Sequence, residues 1–494
     1  MDAVPACPGD LLRRAAATSP DRVAFVDEQA RVSWADLDAR VSAAAAAYVD
    51  AGLAPGDRVV LVQRTSIGFV VDHLGALRAG LVSCPVNPAL TAPELAHVLH
   101  DCGAAAVVTE AGAEVDLPAG TRTVTTGDAP AAPDPHLDRT GDDLVVLLYT
   151  SGTSGRPRGA MLSARALVAN VAQVAAVTPP LVVPDDVVLL PLPLFHVFGL
   201  GAALGVALWN ATTTVLSARF DPVTSAAAIV EHGVTVVVGA PPVFAAWSTR
   251  VDVASAFAGV RLALSGASAL PAALVREYAA QGVALHEGYG MTETAPVLTC
   301  NAIGPEPGVR ADPTPGSIGR PLPGVDARLV DAVGGEVDDG DPGQLTVRGD
   351  NLFSGYWPDG VGAPVDGWFA TGDIAVRDEV GLLWLVGRTT DLVIVNGFNV
   401  YPAEVEAVIG QVEGVAEVAV VGTPDERSGE AVLAFVVALP GSTLEPDAVR
   451  AAAGRSLARY KVPSRVEVVE SLPHTVTGKV QKWRLTGDPA PAPA

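Results

Sequence analysis

The sequence predicts an α/β protein with a large N-terminal domain of parallel-rich sheets and helices, a small β-barrel-like subdomain, and a small α+β C-terminal domain. Three observations predict this class. Short β-rich runs alternate with helical patterns over residues 58–264, as in βαβ units. From about Gly319 the strands become short and are separated by Gly/Asp turns, which is typical of a small barrel or meander. From residue 392 the pattern changes again, to one helix and two strands in a compact α+β arrangement.

The predicted elements follow the chain in this order. Strands are predicted at 58–63, 81–86, 104–109, 144–148, 187–190, 234–238 and 261–264, with a helix near 68–79. Their spacing of roughly 15–40 residues leaves room for crossover helices and predicts mostly parallel sheets. In the C-terminal part we expect a helix at 403–409 and strands at 415–421 and 431–438. The predicted domains are therefore 1–387, with its β-rich part at about 319–387, and 392–494, joined by a hinge at 388–391.

Composition and charge exclude several classes of protein. The 494 residues are 49% hydrophobic and 18% charged, which excludes a disordered chain. The net charge of 32 − 55 = −23 makes nucleic acid and anionic membranes poor partners, so an anionic ligand needs a local cluster of donors. The four cysteines are scattered without a CxxC pair, which argues against a disulfide framework or zinc site. They are typical of a reducing compartment, and we expect a cytoplasmic protein.

One apolar segment requires a membrane test. Residues 187–218 contain no Asp, Glu, Lys or Arg and are long enough to span a bilayer. Because Pro191, Pro193 and His196 interrupt the first third, we expect instead a strand, a turn and a buried helix inside a core. The N-terminal residues lack the apolar stretch of a signal peptide. We therefore expect at most peripheral membrane contact.

The most informative motif is YTSGTSGRPRG at Tyr149–Gly159, directly after the apolar run 144–148. A buried strand that runs into this loop presents backbone N–H groups and hydroxyl donors, which favour a polyanion such as a triphosphate. Arg156 and Arg158 add positive charge. The motif is not the common P-loop, because that loop ends in Gly-Lys-Ser/Thr. The alternative, a flexible Ser/Gly linker, does not need a preceding buried strand.

A second motif, HEGYGMTET, lies at His286–Thr294. Two glycines flank Tyr289, so that its ring can lie against a planar base, and Thr292 and Glu293 follow with a hydroxyl and a carboxylate. A carboxylate beside a polyphosphate usually holds Mg²⁺, since this ion takes one or two protein oxygens and otherwise phosphates and water. The alternative is a tight turn with a packed tyrosine and a solvated glutamate.

Three further motifs are weaker when each stands alone. Asp373, in GWFATGDIAV, can accept hydrogen bonds from vicinal ribose hydroxyls, or can simply cap its own turn. Arg388 opens the stretch GRTTDLVIVNGFNVYPAEVE, which as a bare pattern marks a domain boundary. Lys479 follows Gly478 near the C-terminus, where a single lysine is normally surface charge.

Taken in series, the five motifs resemble those of the adenylate-forming superfamily over nearly the whole chain, and most of all its acyl-CoA synthetases, the fatty-acyl and coumarate CoA ligase group. The resemblance implies a C-terminal domain that is mobile and rotates about the hinge between two half-reactions. It also implies a role for each motif. The β- and γ-phosphates of ATP would be held by the loop residues Thr150, Ser151, Gly152, Thr153, Ser154 and Gly155, with Arg158 beside them.

The other implied roles complete the predicted site. Thr292 would contact the α-phosphate, Glu293 would hold Mg²⁺, and Lys479 would bridge the acyl carboxylate and the α-phosphate. Asp373 and Arg388 would bind the ribose. The adenine pocket would be lined by Gly266, Ala267, Ser268, Glu287, Gly288 and Tyr289. A tunnel for the pantetheine of CoA would be formed by Asn396, Gly397 and Phe398. Two departures from the family pattern are Arg158 in place of lysine and Thr390 in place of the usual Asp or Lys of the hinge.

The resemblance implies an ATP- and Mg²⁺-dependent acid–CoA ligase whose co-substrate is CoA, with a small-molecule carboxylic acid as the other partner. His196 and Gly199 would line the acyl pocket. The small residues near them and the absence of a nearby aspartate or arginine favour a medium- or long-chain fatty acid, and then an aryl acid of the cinnamate or benzoate type. An enzyme that loads a carrier protein, and a catalytically weak acyl-AMP binder, stay open as alternatives. We expect no nucleic-acid partner, and a monomer or homodimer.

Overall fold

A computed structural model of the chain describes residues 5–110, 115–127, 130–150, 157–389, 391–396, 398–425, 427–474 and 480–485. The described residues form two compact units. The first comprises the described residues within 1–150, 157–326 and 348–369, and the second comprises those within 327–347 and 370–485. The predicted domain boundary at 388–391 stays a prediction.

The first unit alternates strands with helices. Its strands are β1 Val23–Val26, β2 Arg31–Ser33, β3 Arg58–Val62, β4 Val82–Val86, β5 Ala106–Thr109, β6 Leu144–Thr150, β7 Arg158–Ser163, β8 Val187–Leu190, β9 Thr213–Leu216, β10 Val236–Gly239, β11 Leu262–Ser265, β12 Leu285–Gly290, β13 Val297–Cys300 and β14 Ser317–Pro321. Its helices are α1 Pro8–Thr18, α2 Trp34–Asp50, α3 Ile67–Arg78, α4 Ala92–Asp101, α5 Ala164–Ala175, α6 Val206–Asn210, α7 Pro222–Glu231, α8 Pro241–Arg250, α9 Val253–Ala256 and α10 Ala272–Ala280. A π-helix spans Phe198–Gly205 and a 3₁₀ helix spans Thr292–Thr294.

Two sheets organise this unit, and both are rich in parallel pairs. One has the order β5-β3-β4-β6-β7, parallel except for the hairpin β6–β7. In the other, nine strands run in the order β14-β13-β12-β11-β10-β8-β9-β1-β2, with parallel pairs from β12 to β1. Side-chain caps fix where several helices begin: Ser163 accepts a hydrogen bond from Ala166 N at 3.1 Å at the start of α5. The predicted α/β class with parallel-rich sheets is confirmed.

The segment 187–218 has the structure that its prolines predict. It contains β8, a turn, the π-helix, α6 and β9, and most of its residues are buried. No helix in the described part of the chain is long and apolar enough to cross a membrane. All four cysteines are buried and free.

The second unit contains a meander and a small α+β sheet. Its elements are β15 Asp326–Val330, β16 Gly343–Arg348, β17 Phe369–Arg377, β18 Leu383–Arg388, β19 Val393–Val395, β20 Phe398–Val400, α11 Pro402–Ile409, β21 Val415–Asp425, β22 Gly429–Ala438, α12 Pro446–Ala453, β23 Arg465–Val469 and a 3₁₀ helix Lys482–Arg484. Strands β15 to β18 are neighbours in sequence order, as in a meander. The order β20-β19-β22-β21, with β23 beside β22, forms a sheet whose buried valines share one core with α11 and α12.

Candidate active site

The loop that the sequence assigns to phosphate binding is framed by the hairpin β6–β7. Thr150, the last residue of β6, lies opposite Arg158, the first residue of β7. The predicted phosphate-binding residues Ser151–Gly155 lie outside the described residues. Both strands are largely buried, so the hairpin fixes where the loop begins and ends.

The second motif forms the end of β12 and the turn that follows. Tyr289 lies opposite Thr299 of β13, and the 3₁₀ helix carries Thr292 and Glu293. At Gly290 a Cβ atom would lie 1.9 Å from the carbonyl oxygen of Pro296. Glycine is therefore required there because the returning chain passes too close for any side chain. A tight turn is only the alternative interpretation of this motif, and no strand is predicted here; in the structure, strand β12 runs through the first half of the motif.

Glu293 is held by a segment that the sequence did not single out, residues 351–357. The Tyr356 hydroxyl donates to the Glu293 carboxylate, and the Phe353 N–H donates to the Glu293 carbonyl oxygen at 2.9 Å. Burial, and then the nearby Glu293 charge, raise the pKa of Tyr356 above its ordinary value, so the phenol remains a donor at neutral pH. The guanidinium of Arg158 lies over the Tyr356 ring, 3.9 Å from its centroid.

Three buried amide side chains hold the rest of this turn. Asn351 Nδ2 donates to the Thr294 carbonyl oxygen at 2.8 Å, and Gln173 Nε2 donates to Asn351 Oδ1 at 3.2 Å. Asn170 makes two bonds to the backbone of Val297, accepting from N at 3.0 Å and donating to O at 2.7 Å. Asn170 and Gln173 stand on the buried face of α5, and such a polar pair in an apolar helix is the sequence signal that could have revealed this contact.

The 351–357 segment also contacts strand β7. Met161 N donates to Gly355 O at 3.0 Å, and Trp357 N donates to Gly159 O at 2.8 Å. The segment therefore touches both the strand that leaves the predicted phosphate loop and the turn that carries Glu293. The structure thus brings Arg158 and Glu293 together, although more than a hundred residues separate them in sequence.

The residues assigned to the adenine pocket lie at the ends of β11 and β12. Ser265, the last residue of β11, pairs with Glu287 of β12, and Gly266, Ala267 and Ser268 follow it. Ala267 has φ +73°, a left-handed conformation that is uncommon for a residue other than glycine. Glu287 is buried and accepts a hydrogen bond from Leu270 N at 3.1 Å. Burial raises the pKa of Glu287 to about 8. Gly288 lies opposite Cys300 on β13.

His196 lies two residues before the π-helix, and Gly199 is the second residue of that helix. His196 Nδ1 accepts a hydrogen bond from Phe198 N at 3.2 Å, so the ring proton is on Nε2. Burial lowers the pKa of His196 to about 4, and the imidazole is neutral at pH 7. A Cβ at Gly199 would lie 2.4 Å from Pro193 O. Close packing therefore explains the missing side chain at Gly199, and its place in an acyl pocket stays a prediction.

In the second unit, the residues assigned to ribose are paired. Asp373 of β17 lies opposite Arg388 of β18, and Arg388 Nε lies 3.0 Å from Asp373 Oδ1. Asn396 has φ +52° and follows β19, while Phe398 is 56% exposed and stacks on Tyr460 with centroids 4.9 Å apart. Gly397, Thr390 and Lys479 lie outside the described residues. Val480, next to Lys479, forms a bridge with His474.

Comparisons with known proteins decide the family. The model of the AMP-binding enzyme family matches residues 12–357, and that of the AMP-binding enzyme C-terminal domain matches residues 404–479. The chain belongs to the AMP-binding enzyme family. The family membership that the five motifs indicated is thereby confirmed.

Relatives in this family match over nearly their full length. A feruloyl-CoA synthase from Amycolatopsis sp is 36% identical over 485 residues, which cover 96% of this chain and 97% of the relative. A long-chain-fatty-acid–CoA ligase from Salmonella typhimurium is 34% identical and covers 96% of this chain and 93% of its own. The crystal structure of ATP-bound MatB from Rhodopseudomonas palustris, 34% identical, matches with a TM-score of 0.88 over 97% of this chain and 98% of its own.

The side chains of the described residues can be compared with the ligands that a metal ion requires. No group of three or more His, Cys, Asp or Glu side chains that could hold a metal occurs in the described part of the chain. Glu293 offers one carboxylate, oriented by a phenol. This set fits Mg²⁺, which binds through one or two carboxylates plus phosphate oxygens and water, better than it fits a metal caged by protein alone.

Proposed function

We propose that this protein is an ATP-dependent acid–CoA ligase, which adenylates a carboxylic acid with release of pyrophosphate and then transfers the acyl group to CoA with release of AMP. One observation carries the proposal. The chain belongs to the AMP-binding enzyme family, and in it the carboxylate of Glu293 and the guanidinium of Arg158 both contact Tyr356. Tyr356 belongs to the 351–357 segment, which pairs with β7, the strand that follows the predicted phosphate loop.

In the first half-reaction, a carboxylate oxygen of the acid attacks the α-phosphorus of ATP. The bond from this phosphorus to the bridging oxygen breaks, and pyrophosphate leaves. Because both reactants are anions, the site must supply positive charge and donors as the transition state forms. We assign this role to Arg158, to the hydroxyl of Thr292, and to Lys479. Mg²⁺ held by Glu293 would neutralise phosphate charge and favour the departure of pyrophosphate.

In the second half-reaction, the thiolate of CoA attacks the carbonyl carbon of the acyl-adenylate. This intermediate is a mixed anhydride, so the bond from the carbonyl carbon to the phosphate oxygen breaks readily, and AMP leaves with the electron pair. We assign Asn396, Gly397 and Phe398 to the path of the pantetheine arm. Asp373 and Arg388 are assigned to the ribose hydroxyls.

The acid is proposed to carry an apolar group. The His196 imidazole is neutral at pH 7, so it offers no charge to a second carboxylate or an amine of the substrate. A medium- or long-chain fatty acid is the first candidate, and the similarity to a long-chain-fatty-acid–CoA ligase supports it. An aryl acid is the second, and the similarity to a feruloyl-CoA synthase supports that candidate.

The test is acid-dependent exchange of radiolabelled pyrophosphate into ATP, followed by AMP release with and without CoA. The acids are octanoate, palmitate, cinnamate, ferulate and benzoate. Thioester formation that needs CoA supports the ligase, whereas exchange without thioester formation supports the loading of a carrier protein. Absence of exchange with every acid would contradict the proposal.

Lys479 provides the matching mutational test. Lys479→Ala should abolish acid-dependent pyrophosphate exchange but spare thioester formation from supplied acyl-adenylate, because only the first step needs its charge. Lys482→Ala is the control, since the Lys482 ammonium is paired with Glu406 at 2.7 Å and has no assigned role. Full exchange by the Lys479 variant would remove that residue from the mechanism.

A further inference from the structure

We propose that Tyr356 is a positioning residue that holds the carboxylate of Glu293 and the guanidinium of Arg158 at fixed places relative to each other. Neither the five motifs nor the resemblance assigned a role to this tyrosine. The inference rests on the proposed function, because Glu293 is assigned there to Mg²⁺ and Arg158 to the phosphates of ATP.

The hydroxyl of Tyr356 fixes the carboxylate. The backbone of Glu293 is already anchored by the Phe353 N–H, but its side chain would otherwise rotate about several bonds. Donation from the phenol selects one orientation of the carboxylate. Since an ionised carboxylate has about four lone-pair sites, the phenol leaves the remaining ones available for a cation. Groups of this kind behind a metal ligand orient it and tune its affinity for the metal.

The ring of Tyr356 fixes the guanidinium. With 3.9 Å between the Arg158 Cζ atom and the ring centroid, the cation lies against the π face, where the ring quadrupole attracts it. A planar guanidinium stacks on an aromatic face, whereas an ammonium group is a strongly hydrated point charge. This contact gives a physical reason for arginine at the position where the family usually has lysine.

Tyr356 is itself held from several sides. Its N–H donates to Val361 O at 2.9 Å, and its backbone pairs with Ala160 of β7. The Phe353 ring packs edge-on against the Tyr356 ring, with centroids 5.1 Å apart and planes at 78°. A Cβ at Gly362 would lie 3.2 Å from two atoms of the ring. A side chain with this support is pre-organised, and it can therefore impose geometry on its partners.

The contributions of the Tyr356 hydroxyl and of the Tyr356 ring can be tested separately. Tyr356→Phe removes only the donor to Glu293 and keeps the face beneath Arg158, whereas Tyr356→Leu removes both. Binding of ATP to each variant is measured by calorimetry without acid or CoA, over a series of free Mg²⁺ concentrations. Tyr278→Phe is the matched control, since the Tyr278 hydroxyl donates to the backbone oxygen of Phe244, in the apolar core of the same unit.

For Tyr356→Phe we expect the Mg²⁺ concentration that gives half-maximal ATP affinity to rise about tenfold, because the carboxylate is no longer oriented. Its ATP affinity at saturating Mg²⁺ should stay within about twofold of wild type. Tyr356→Leu should show the same Mg²⁺ shift and also bind ATP about 2- to 5-fold more weakly at saturating Mg²⁺, because Arg158 loses its stacked position. Tyr278→Phe should leave both quantities unchanged.

Glu293→Gln separates this inference from the proposed function. In the Glu293→Gln background, Tyr356→Phe should add less than about a twofold shift, since the hydroxyl acts through the carboxylate. If Glu293→Gln shifts the Mg²⁺ requirement and Tyr356→Phe does not, the positioning role is wrong and the proposed function stands. If Glu293→Gln leaves the Mg²⁺ requirement at the wild-type value, the metal assignment and this inference both fail. Acid-dependent pyrophosphate exchange by the wild type then decides whether the ligase assignment survives.

Discussion

Two regions of the molecule hold carboxylates that the sequence assigns to the nucleotide, and they do so by different physical means. In the region of β12 and its turn, Glu287 accepts from a backbone N–H and Glu293 accepts from a phenol. Both of these hydrogen-bond donors are uncharged groups. In the hairpin β17–β18, Asp373 is instead paired with the guanidinium of Arg388.

The difference has a chemical consequence. Neutral donors hold a carboxylate in place without cancelling its charge. The carboxylate can then attract a cation, or, where it is deeply buried, burial favours its protonated form. Glu293 would follow the first course and Glu287 follows the second, with its raised pKa. A guanidinium cancels the charge of its partner and leaves oxygens that accept hydrogen bonds from a neutral ligand such as a ribose.

The largest expected effect concerns the buried carboxyl of Glu287. Its pKa of about 8 in the folded protein lies above the ordinary value of 4.5, so the folded state retains a proton that the unfolded state loses between these values. Stability should therefore fall as pH rises from about 4.5 to 8. Glu287→Gln should remove this part of the slope and stabilise the protein by on the order of 3 kcal/mol at pH 8. Urea unfolding at pH 5, 6.5 and 8 checks it, and parallel curves for the two proteins would contradict it.

The second effect concerns the charge of Glu293. Glu293→Gln keeps the size and a hydrogen-bond acceptor but removes the charge that would bind Mg²⁺. We expect the rate of pyrophosphate exchange at saturating ATP to fall about 100-fold, equivalent to about 2.7 kcal/mol. Asp373→Asn provides the contrast, with its main effect on the KM for ATP. Equal losses of kcat in the two variants would erase the distinction between the regions.

The third effect tests how the turn is held. Asn351→Ala removes a fully buried amide and leaves the Thr294 carbonyl oxygen and the Gln173 amide without their partner. A loss of about 2 kcal/mol in the free energy of unfolding is expected, with weaker exchange activity. Asn399→Ala, at an exposed position of β20, should change stability by less than about 0.5 kcal/mol. Similar results for both asparagines would show that Asn351 does not hold the turn.

The smallest effect is the coupling between Asp373 and Arg388. The arginine side chain is 33% exposed and the aspartate side chain 7%, so solvent screens the pair in part. A double-mutant cycle with Asp373→Asn and Arg388→Gln should give a coupling of about 0.5–1 kcal/mol, decreasing as salt is added. A coupling well above that range, insensitive to salt, would mean that the hairpin holds its carboxylate as tightly as the turn does.

Much of the fold could be predicted from periodicity. The strand predicted at 187–190 has the same bounds in the structure, and those predicted at 58–63 and 81–86 differ by one residue. These segments are continuous apolar runs bounded by polar or glycine-rich stretches, and their local signal agrees with their burial. Strand β12 was missed because its glycines and polar residues resemble a turn, and its strand conformation depends on pairing with β11 and β13.

The sequence by itself determined the family, the order of the motifs and the chemical type of each predicted site residue, because these are properties of short contiguous stretches. Only the tertiary structure decided what holds them. Arg158, Glu293 and Tyr356 come from three distant parts of the chain, and their contact follows from the pairing of the 351–357 segment with β7. A phenol that supports a carboxylate leaves no local pattern, since its partner is chosen by packing and not by spacing along the chain.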